Sequence, residues 1–271
     1  MVVISVRVSD FEYDGFALSD FGFIICDFSG GGLQTIGNGS QITFNTVSTR
    51  NGEKYEHTSS QYDSCIETTF QICKNSCLYD NIGLSLKEYR DIITWLNRKQ
   101  FHQFRFLDGE YADIYFDATF NISKIEIDGM IVGLELNMKT NRPFAYKEPV
   151  EHTYNNLAAN TSTVINVVSD EEGFIYPDMT IKVLTSGNLT ITNTNHTETR
   201  SMVINSCTAN EIITIQYPIV SSSLSSHKIQ NDFNWNFFRL ANSFKYKENT
   251  ITNSLKCNLE LSYTPLIKIS V

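Results

Sequence analysis

Cationic side chains are scarce in this sequence of 271 residues, where 21 Lys plus Arg face 30 Asp plus Glu for a formal net charge of −9. No Lys/Arg cluster is long enough to grip a phosphate backbone, which excludes nucleic-acid binding as the main task. Long apolar runs are missing too. Nothing approaches the ~18 consecutive apolar residues of a membrane-spanning helix. The opening MVVISVRVSDF alternates like a strand and lacks the apolar stretch of a signal peptide. Short catalytic motifs are equally absent: there is no Gly-x-Ser-x-Gly elbow, P-loop, Rossmann glycine pattern or His-Glu-x-x-His. The histidines (His57, His102, His152, His196, His227) are scattered among polar neighbours. The expectation is a protein that is not an enzyme and needs no cofactor.

The six cysteines (Cys26, Cys65, Cys73, Cys77, Cys207, Cys257) are too widely spread for a compact disulfide framework. They are expected as reduced, mostly core thiols, and without a secretory signal the Asn-x-Ser/Thr sequons carry no weight. Cys65, Cys73 and Cys77 with His57 resemble a metal cluster only superficially, because a second close-spaced pair is missing. The acidic groups Asp108/Glu110 and Asp170-Glu171-Glu172 fall at expected turns, with nothing nearby to desolvate one carboxyl and make it a general acid.

What the sequence does contain is β-structure. Aromatics make up 12% and apolar residues 41%, with many Thr, Ser, Val and Ile. FEYDGFALSDFGFII (11–25) has turns at Tyr13-Asp14-Gly15 and Ser19-Asp20-Phe21-Gly22, and Phe16, Phe21, Phe23 and the isoleucines are expected to bury. From Ser29 to Asp63 large apolar residues thin out, turn dipeptides stand at Asn38-Gly39 and Asn51-Gly52, and the alternating QITFNTV lies between them. The segment reads as a disordered loop or as a β-arm that gains a core only by lying on a neighbour. The alternation favours the arm.

SCIETTFQICK follows as a core strand, then the clearest helix. Ser85-Leu86-Lys87-Glu88 fits a capping box, and Leu86, Tyr89, Ile92, Ile93 and Leu96 recur at helical spacing. Trp95 lies ~100° from that stripe's centre at 100° per residue, either at the core edge or as a contact to another subunit. FHQFRFLDGEYADIYFDATFNISKIEIDGMIVGLELNMKT reads as a meander with hairpin turns at Asp108-Gly109 and Asp128-Gly129. NRPFAYKEPVEHTYN (141–155) reads as a linker, which puts the domains at 1–143 and 144–271. The second half is a succession of short strands (TVINVVS, IKVLTSG, LTITNT, SMVINS, EIITIQYPIVSS, WNFFRLA, NTITNSL and LELSYTPLIKI), the pattern of a β-sandwich. In DFNWNFFRL, Trp235 is either part of a sugar platform or one of three aromatics, with Phe233 and Phe237, that alternate into the core. The period of two favours the core.

Taken in order, FEYDGFALSDFGFII, the arm, LSLKEYRDIITWLNRKQF, FRFLDGEYADIYFDATF and GLELNMKTNRPFAY resemble the distal tail protein family of siphophage-type tails. YPDMTIKVLTSGNLTITN, EIITIQYPIVSSS, DFNWNFFRLANSF and LELSYTPLIKI resemble that family's galectin-like C-terminal domain, so the resemblance covers essentially the whole chain. It implies a mainly β protein with an N-terminal β-sandwich carrying one helix and an extended β-arm (the belt domain), followed by a galectin-like β-sandwich. It also implies a homo-hexameric ring at the virion tail tip, assembled in the host bacterial cytoplasm. Such a ring joins the tail tube protein to the tail-tip or tail-associated lysin protein and anchors receptor-binding components. DNA passes its channel without specific binding, with no membrane insertion. Under this resemblance Ile42, Phe44, Val47, Tyr55 and Trp95 are the subunit-contact candidates. The alternative is a carbohydrate-binding adhesin using Trp235. The galactose motifs of galectins are not matched by Asn193 to Arg200 or Phe233 to Arg239, which argues for docking over sugar binding.

Overall fold

The computed structural model describes residues 9–28, 42–48, 55–62, 65–79, 83–109 and 111–269. The expected strand at Val2 to Val8, the stretch 29–41 and Glu110 lie outside them. The chain divides into two compact units, Glu148–Leu266 and the remainder, Met1–Lys147 with Ile267–Val271. The boundary thus falls four residues beyond the expected one. The chain also returns to the first unit at Ile267, and Ile269 joins that unit's core.

The first unit contains β1 (Phe11–Tyr13), β2 (Phe16–Ala17), β3 (Phe23–Cys26), β4 (Ile42–Ser48), β5 (Tyr55–Tyr62), β6 (Glu67–Lys74), helix α1 (Leu86–Leu96), β7 (His102–Phe106), β8 (Phe116–Ile127), β9 (Met130–Thr140) and β10 (Ala145–Tyr146). A 7-stranded antiparallel sheet runs in the order β2-β1-β7-β8-β9-β6-β3. In a flat sheet β1 and β6, four strand steps apart, would be separated by ~19 Å at the usual ~4.8 Å spacing. Yet the rings of Phe11 and Phe70 are 5.7 Å apart. The sheet therefore folds over on itself into two layers. Its far end is tied back where the Ile25 N–H donates to the Ser9 carbonyl at 3.0 Å. Phe11, Phe70, Phe104 and Phe120 fill the space between the layers.

Turn chemistry sets the hairpins. Asp14 and Gly15 (φ 52° and 79°) and Asp128 and Gly129 (φ 51° and 76°) both carry the paired positive φ of a two-residue I′ turn, as their sequences demand. Asp108-Gly109 instead opens a longer connection, because β7 ends at Phe106 and β8 begins only at Phe116. The Asp108 carboxylate is drawn off to the Ser9 backbone N–H and hydroxyl. Phe16 was expected inside and is exposed, since β2 is the edge strand at the rim of the sheet. Phe21 and Ile24 are only partly buried.

The capping box on α1 is closed as expected: Glu88 N–H donates to Ser85 Oγ at 3.3 Å and Ser85 N–H to Glu88 Oε2 at 2.8 Å. The buried face, however, is Ile92, Trp95 and Leu96. Around Ile92, Trp95 lies ~60° away and Leu86 ~120° at 100° per residue, so Leu86 turns outward and is exposed.

The second unit contains β11 (Val150–Leu157), β12 (Ser162–Asn166), β13 (Gly173–Ile175), β14 (Asp178–Val183), β15 (Gly187–Asn195), β16 (Glu198–Cys207), β17 (Ile212–Gln216), β18 (Ile219–Ser222), helix α2 (Ile229–Asp232), β19 (Leu240–Asn242), β20 (Glu248–Asn253) and β21 (Cys257–Tyr263). A 5-stranded sheet, β11-β21-β14-β17-β18, and a 4-stranded sheet, β12-β20-β15-β16, enclose one apolar core. Alternating residues supply it, including Met179, Ile181 and Val183 from one sheet and Leu189, Ile191 and Ile251 from the other. The linker reading of 141–155 fails from Val150 onward. VEHTYNNL is an edge strand paired with β21, and half-buried Val150, His152 and Tyr154 give it only a weak alternation.

Candidate functional site

Strands β4 and β5 form the arm. They pair antiparallel from Ile42↔Tyr62 to Ser48↔Tyr55, with the register shifting between Asn45 and Thr46. Among the described residues they make a separate 2-stranded sheet that no third strand joins. Such a hairpin is marginal in water on its own. One attachment to its own unit is the edge-on contact of Tyr62 with Phe144 at 4.7 Å. Ile42, Phe44 and Val47 are exposed to 47%, 56% and 55%. Ile42 and Phe44, two residues apart, share one face of β4. Strand β4 thus carries three apolar side chains that remain exposed. Tyr55, the fourth candidate on this segment, is placed as the backbone partner of Ser48.

Trp95 is separated from these residues. It is 9% exposed, its ring stacks on Phe21 at 4.4 Å, and its indole N–H donates to the Tyr13 carbonyl at 3.1 Å. Of the two readings open for it, the core position is the one occupied, and little of the ring remains for another subunit.

Trp235 departs from expectation in the opposite direction. Phe233 and Phe237 are buried, but Trp235 is 57% exposed with φ of 56°. The segment is not a strand until Leu240, so the period of two has no ladder to act on. Instead 233–236 runs along the edge of β16, where Asn234 N–H donates to the Val203 carbonyl at 3.0 Å and Asn236 Nδ2 to the Ser201 carbonyl at 2.7 Å. The Asn234 amide oxygen accepts from Val203 N–H at 3.1 Å. These bonds cover an open sheet edge and hold a bulky residue in the left-handed region that such residues avoid.

Titratable side chains also cluster inside the units. Glu211 has no exposed surface and accepts bonds from Thr208 N–H, the Ser222 hydroxyl and His227 Nδ1. Burial pushes its carboxyl up, but these bonds together outweigh burial and hold it below the usual range. Cys26 and Cys73 meet across the paired strands β3 and β6 through a thiol hydrogen bond, which together with burial raises Cys26. Among the described residues no three His, Cys, Asp or Glu side chains converge as metal ligands, and no helix is long and apolar enough to cross a membrane.

The sequence reading missed two features. A buried amide network staples the second unit: Asn193 Nδ2 donates to Asn249 Oδ1 at 2.8 Å, and Asn195 Nδ2 to the Glu248 carbonyl at 2.6 Å. The inward positions of these asparagines in alternating strands were the available signal. The second is Phe244, 84% exposed on the loop before β20, which no periodicity marks.

Comparison with known proteins adds the following. A family model described as a phage tail protein N-terminal domain matches residues 6–142, and one described as a phage tail C-terminal domain matches residues 144–263. No curated protein sequence matches. Among solved structures, the chain is similar to the Dit (gp 19.1) protein of phage SPP1, described as a paradigm of the hub adsorption apparatus in phages infecting Gram-positive hosts. The TM-score is 0.65 at 12% identity, over 95% of this chain and 99% of that one. At that identity the likeness speaks for the fold.

Proposed function

Since the chain belongs to the phage tail protein family whose two domain models span it, we propose that it is a structural distal tail protein. Six copies close into a ring at the distal end of the tail. The ring joins the tail tube to the tail-tip or lysin protein below it and carries receptor-binding components on the second unit. The single observation that carries this reading is the arm. A two-stranded hairpin with Ile42, Phe44 and Val47 exposed gains a core by lying on the adjacent copy, and head-to-tail contacts of this kind close into a ring when the rotation per subunit fits. The fold shared with SPP1 Dit over nearly the whole of both chains supports the hub position. A net charge of −9 suits a channel through which a polyanion passes without being held.

The test is light scattering on the purified chain and on a variant lacking 29–63. A hexameric mass (or a multiple of it) for the full chain, lost on deletion while both units still unfold cooperatively, is the expected result. A full chain that stays monomeric at high concentration overturns the reading. A second reading, a carbohydrate-binding adhesin, is favoured by the exposure of Trp235. It requires glycan binding that disappears in Trp235→Ala with the fold intact.

A further inference from the structure

We propose that a groove on the second unit, walled by Phe244 and by the stacked rings of Tyr246 and His196, binds an uncharged saccharide chain. The inference is independent of the ring reading, and it places sugar recognition away from Trp235. Phe244 is the most exposed large apolar side chain among the described residues, at 84%. It does not sit on a loose loop. Its own N–H donates to Glu172 Oε1 at 2.8 Å, and the Tyr246 N–H to Ser243 Oγ at 3.1 Å. The Tyr246 carbonyl accepts from Asn195 Nδ2 at 3.3 Å, and Lys247 Nζ donates to the Ser169 carbonyl at 3.2 Å. The backbone that carries the phenyl ring is thus held in place, and the ring itself, out in water, adds nothing to its own core. Exposed apolar surface carried on a hydrogen-bonded backbone is what a binding surface presents.

Beside it, the Tyr246 and His196 rings are stacked face to face, 3.8 Å apart and within 18° of parallel, so that the pair braces itself and presents its outer surface to the groove. The groove has a volume of about 730 Å³. Its floor is polar by construction. Thr194 on β15 is directly opposite Thr250 on β20, and Asn166 on β12 is opposite Glu248, two residues before Thr250. The period of two therefore sends Asn166, Thr250 and Thr194 to one face of the sheet.

This combination selects the ligand. A sugar ring presents an apolar C–H face for the aromatic walls and a rim of hydroxyls for the amide and hydroxyl floor. An apolar peptide segment would cover Asn166, Thr194 and Thr250 without satisfying them, at the cost of unmade hydrogen bonds. Lys245 and Lys247 are balanced by Glu248 among the lining residues and by Glu172 behind the loop, so the groove has no net field for an anionic or cationic polymer.

The experiment titrates the full chain with chitotriose, maltotriose and galactotriose, read by calorimetry and by ligand-observed NMR. Saturable binding of at least one is expected, weakened about tenfold or more in Phe244→Ala and in Tyr246→Ala, and unchanged in Trp235→Ala. Thr194→Val, which keeps the shape and removes a hydroxyl, is expected to weaken it as well. Phe244 is exposed, so its replacement leaves the unfolding transition in place. Absence of saturable binding for all three sugars overturns the proposal. So does binding that survives Phe244→Ala, or binding that Trp235→Ala abolishes.

Discussion

The indole N–H of Trp95 donates to the backbone carbonyl of Tyr13 at 3.1 Å, joining the helix of the first unit to the first strand of its sheet. The same ring lies parallel to Phe11 at 5.8 Å and to Phe21 at 4.4 Å. Trp95 is thus a keystone between α1 and β1, and its truncation removes a large buried volume together with a hydrogen bond. Trp95→Ala is expected to destabilise the first unit by ~3–5 kcal/mol, and Trp95→Phe, which keeps most of the ring stack, by less. Urea unfolding followed for each unit separately checks this. A Trp95→Ala variant of unchanged stability would put the ring back at a subunit contact.

Phe44 supports the opposite expectation. It sits 56% exposed on β4, two residues from Ile42 on the same face. Phe44→Asp is expected to change the stability of the isolated chain far less than Trp95→Ala does, because more than half of the side chain is already in water. The same charge at a subunit contact costs far more, because it is desolvated there without a partner. Light scattering should therefore show the assembled mass falling while the unfolding curve stays in place. Retention of the full assembled mass by Phe44→Asp combined with Ile42→Asp would remove these side chains from the interface.

Local chemistry explains which elements were legible in the sequence. The capping box at Ser85/Glu88 and the turns at Asp14-Gly15 and Asp128-Gly129 rest on neighbours within a few residues, and the sequence states them directly. The Asn38-Gly39 and Asn51-Gly52 signals lie outside the described residues. The β4–β5 hairpin was legible for a related reason, since QITFNTV alternates within a stretch that has few large apolar residues. Trp95 stayed between two readings, and Trp235 was misjudged, because their burial depends on other segments. The sheet residues Phe11 and Phe21 pull the buried face of α1 toward Trp95. The edge of β16 captures Asn234 and Asn236 and turns Trp235 outward. The linker reading of 141–155 ran into the strand Val150–Leu157 because that strand's pairing partner, Cys257–Tyr263, lies about a hundred residues away along the chain.

Glu88 gives the first unit a pH dependence. Its hydrogen bond with Lys74, reinforced by Ser85, lowers its pKa from 4.5 to about 2, and the Lys74 Nζ stands 2.8 Å from its carboxylate. A carboxyl depressed in the folded state contributes stability that is fully present above its unfolded value and is lost as pH falls through the folded one. The window is therefore pH 4.5 down to about 2. Glu88 is 37% exposed on its side chain, so solvent screening reduces the contribution to ~1 kcal/mol. Thermal unfolding across that range should show the loss for the wild type and a flatter profile for Glu88→Gln. Identical acid limbs in the two proteins would show that the pair contributes nothing.

Asn249 is expected to be the most sensitive polar position of the second unit. It has no exposed surface. Its amide oxygen accepts from the Ala241 N–H and from Asn193 Nδ2, both at 2.8 Å, and its amide nitrogen donates to the carbonyls of Ala241 at 2.9 Å and Lys247 at 3.1 Å. Asn249→Ala removes the partner of the Ala241 N–H and carbonyl, whereas the Lys247 carbonyl keeps the Val167 N–H and Asn193 Nδ2 keeps the Arg239 carbonyl. Two unmade bonds at ~1–3 kcal/mol each make a loss of ~2–6 kcal/mol. Asn249→Asp separates the two halves of the amide. It keeps the acceptor but sets a carboxylate against two carbonyl oxygens, so burial and repulsion raise its pKa above that of a free carboxyl. A raised carboxyl favours its protonated form in the folded state, so this variant should gain stability relative to wild type as pH falls from 7 toward 4. Asn249→Ala should show no such recovery. Chemical unfolding of the three proteins at both pH values decides it, and a carboxylate variant that weakens further on acidification would contradict the hydrogen-bond assignment at this amide.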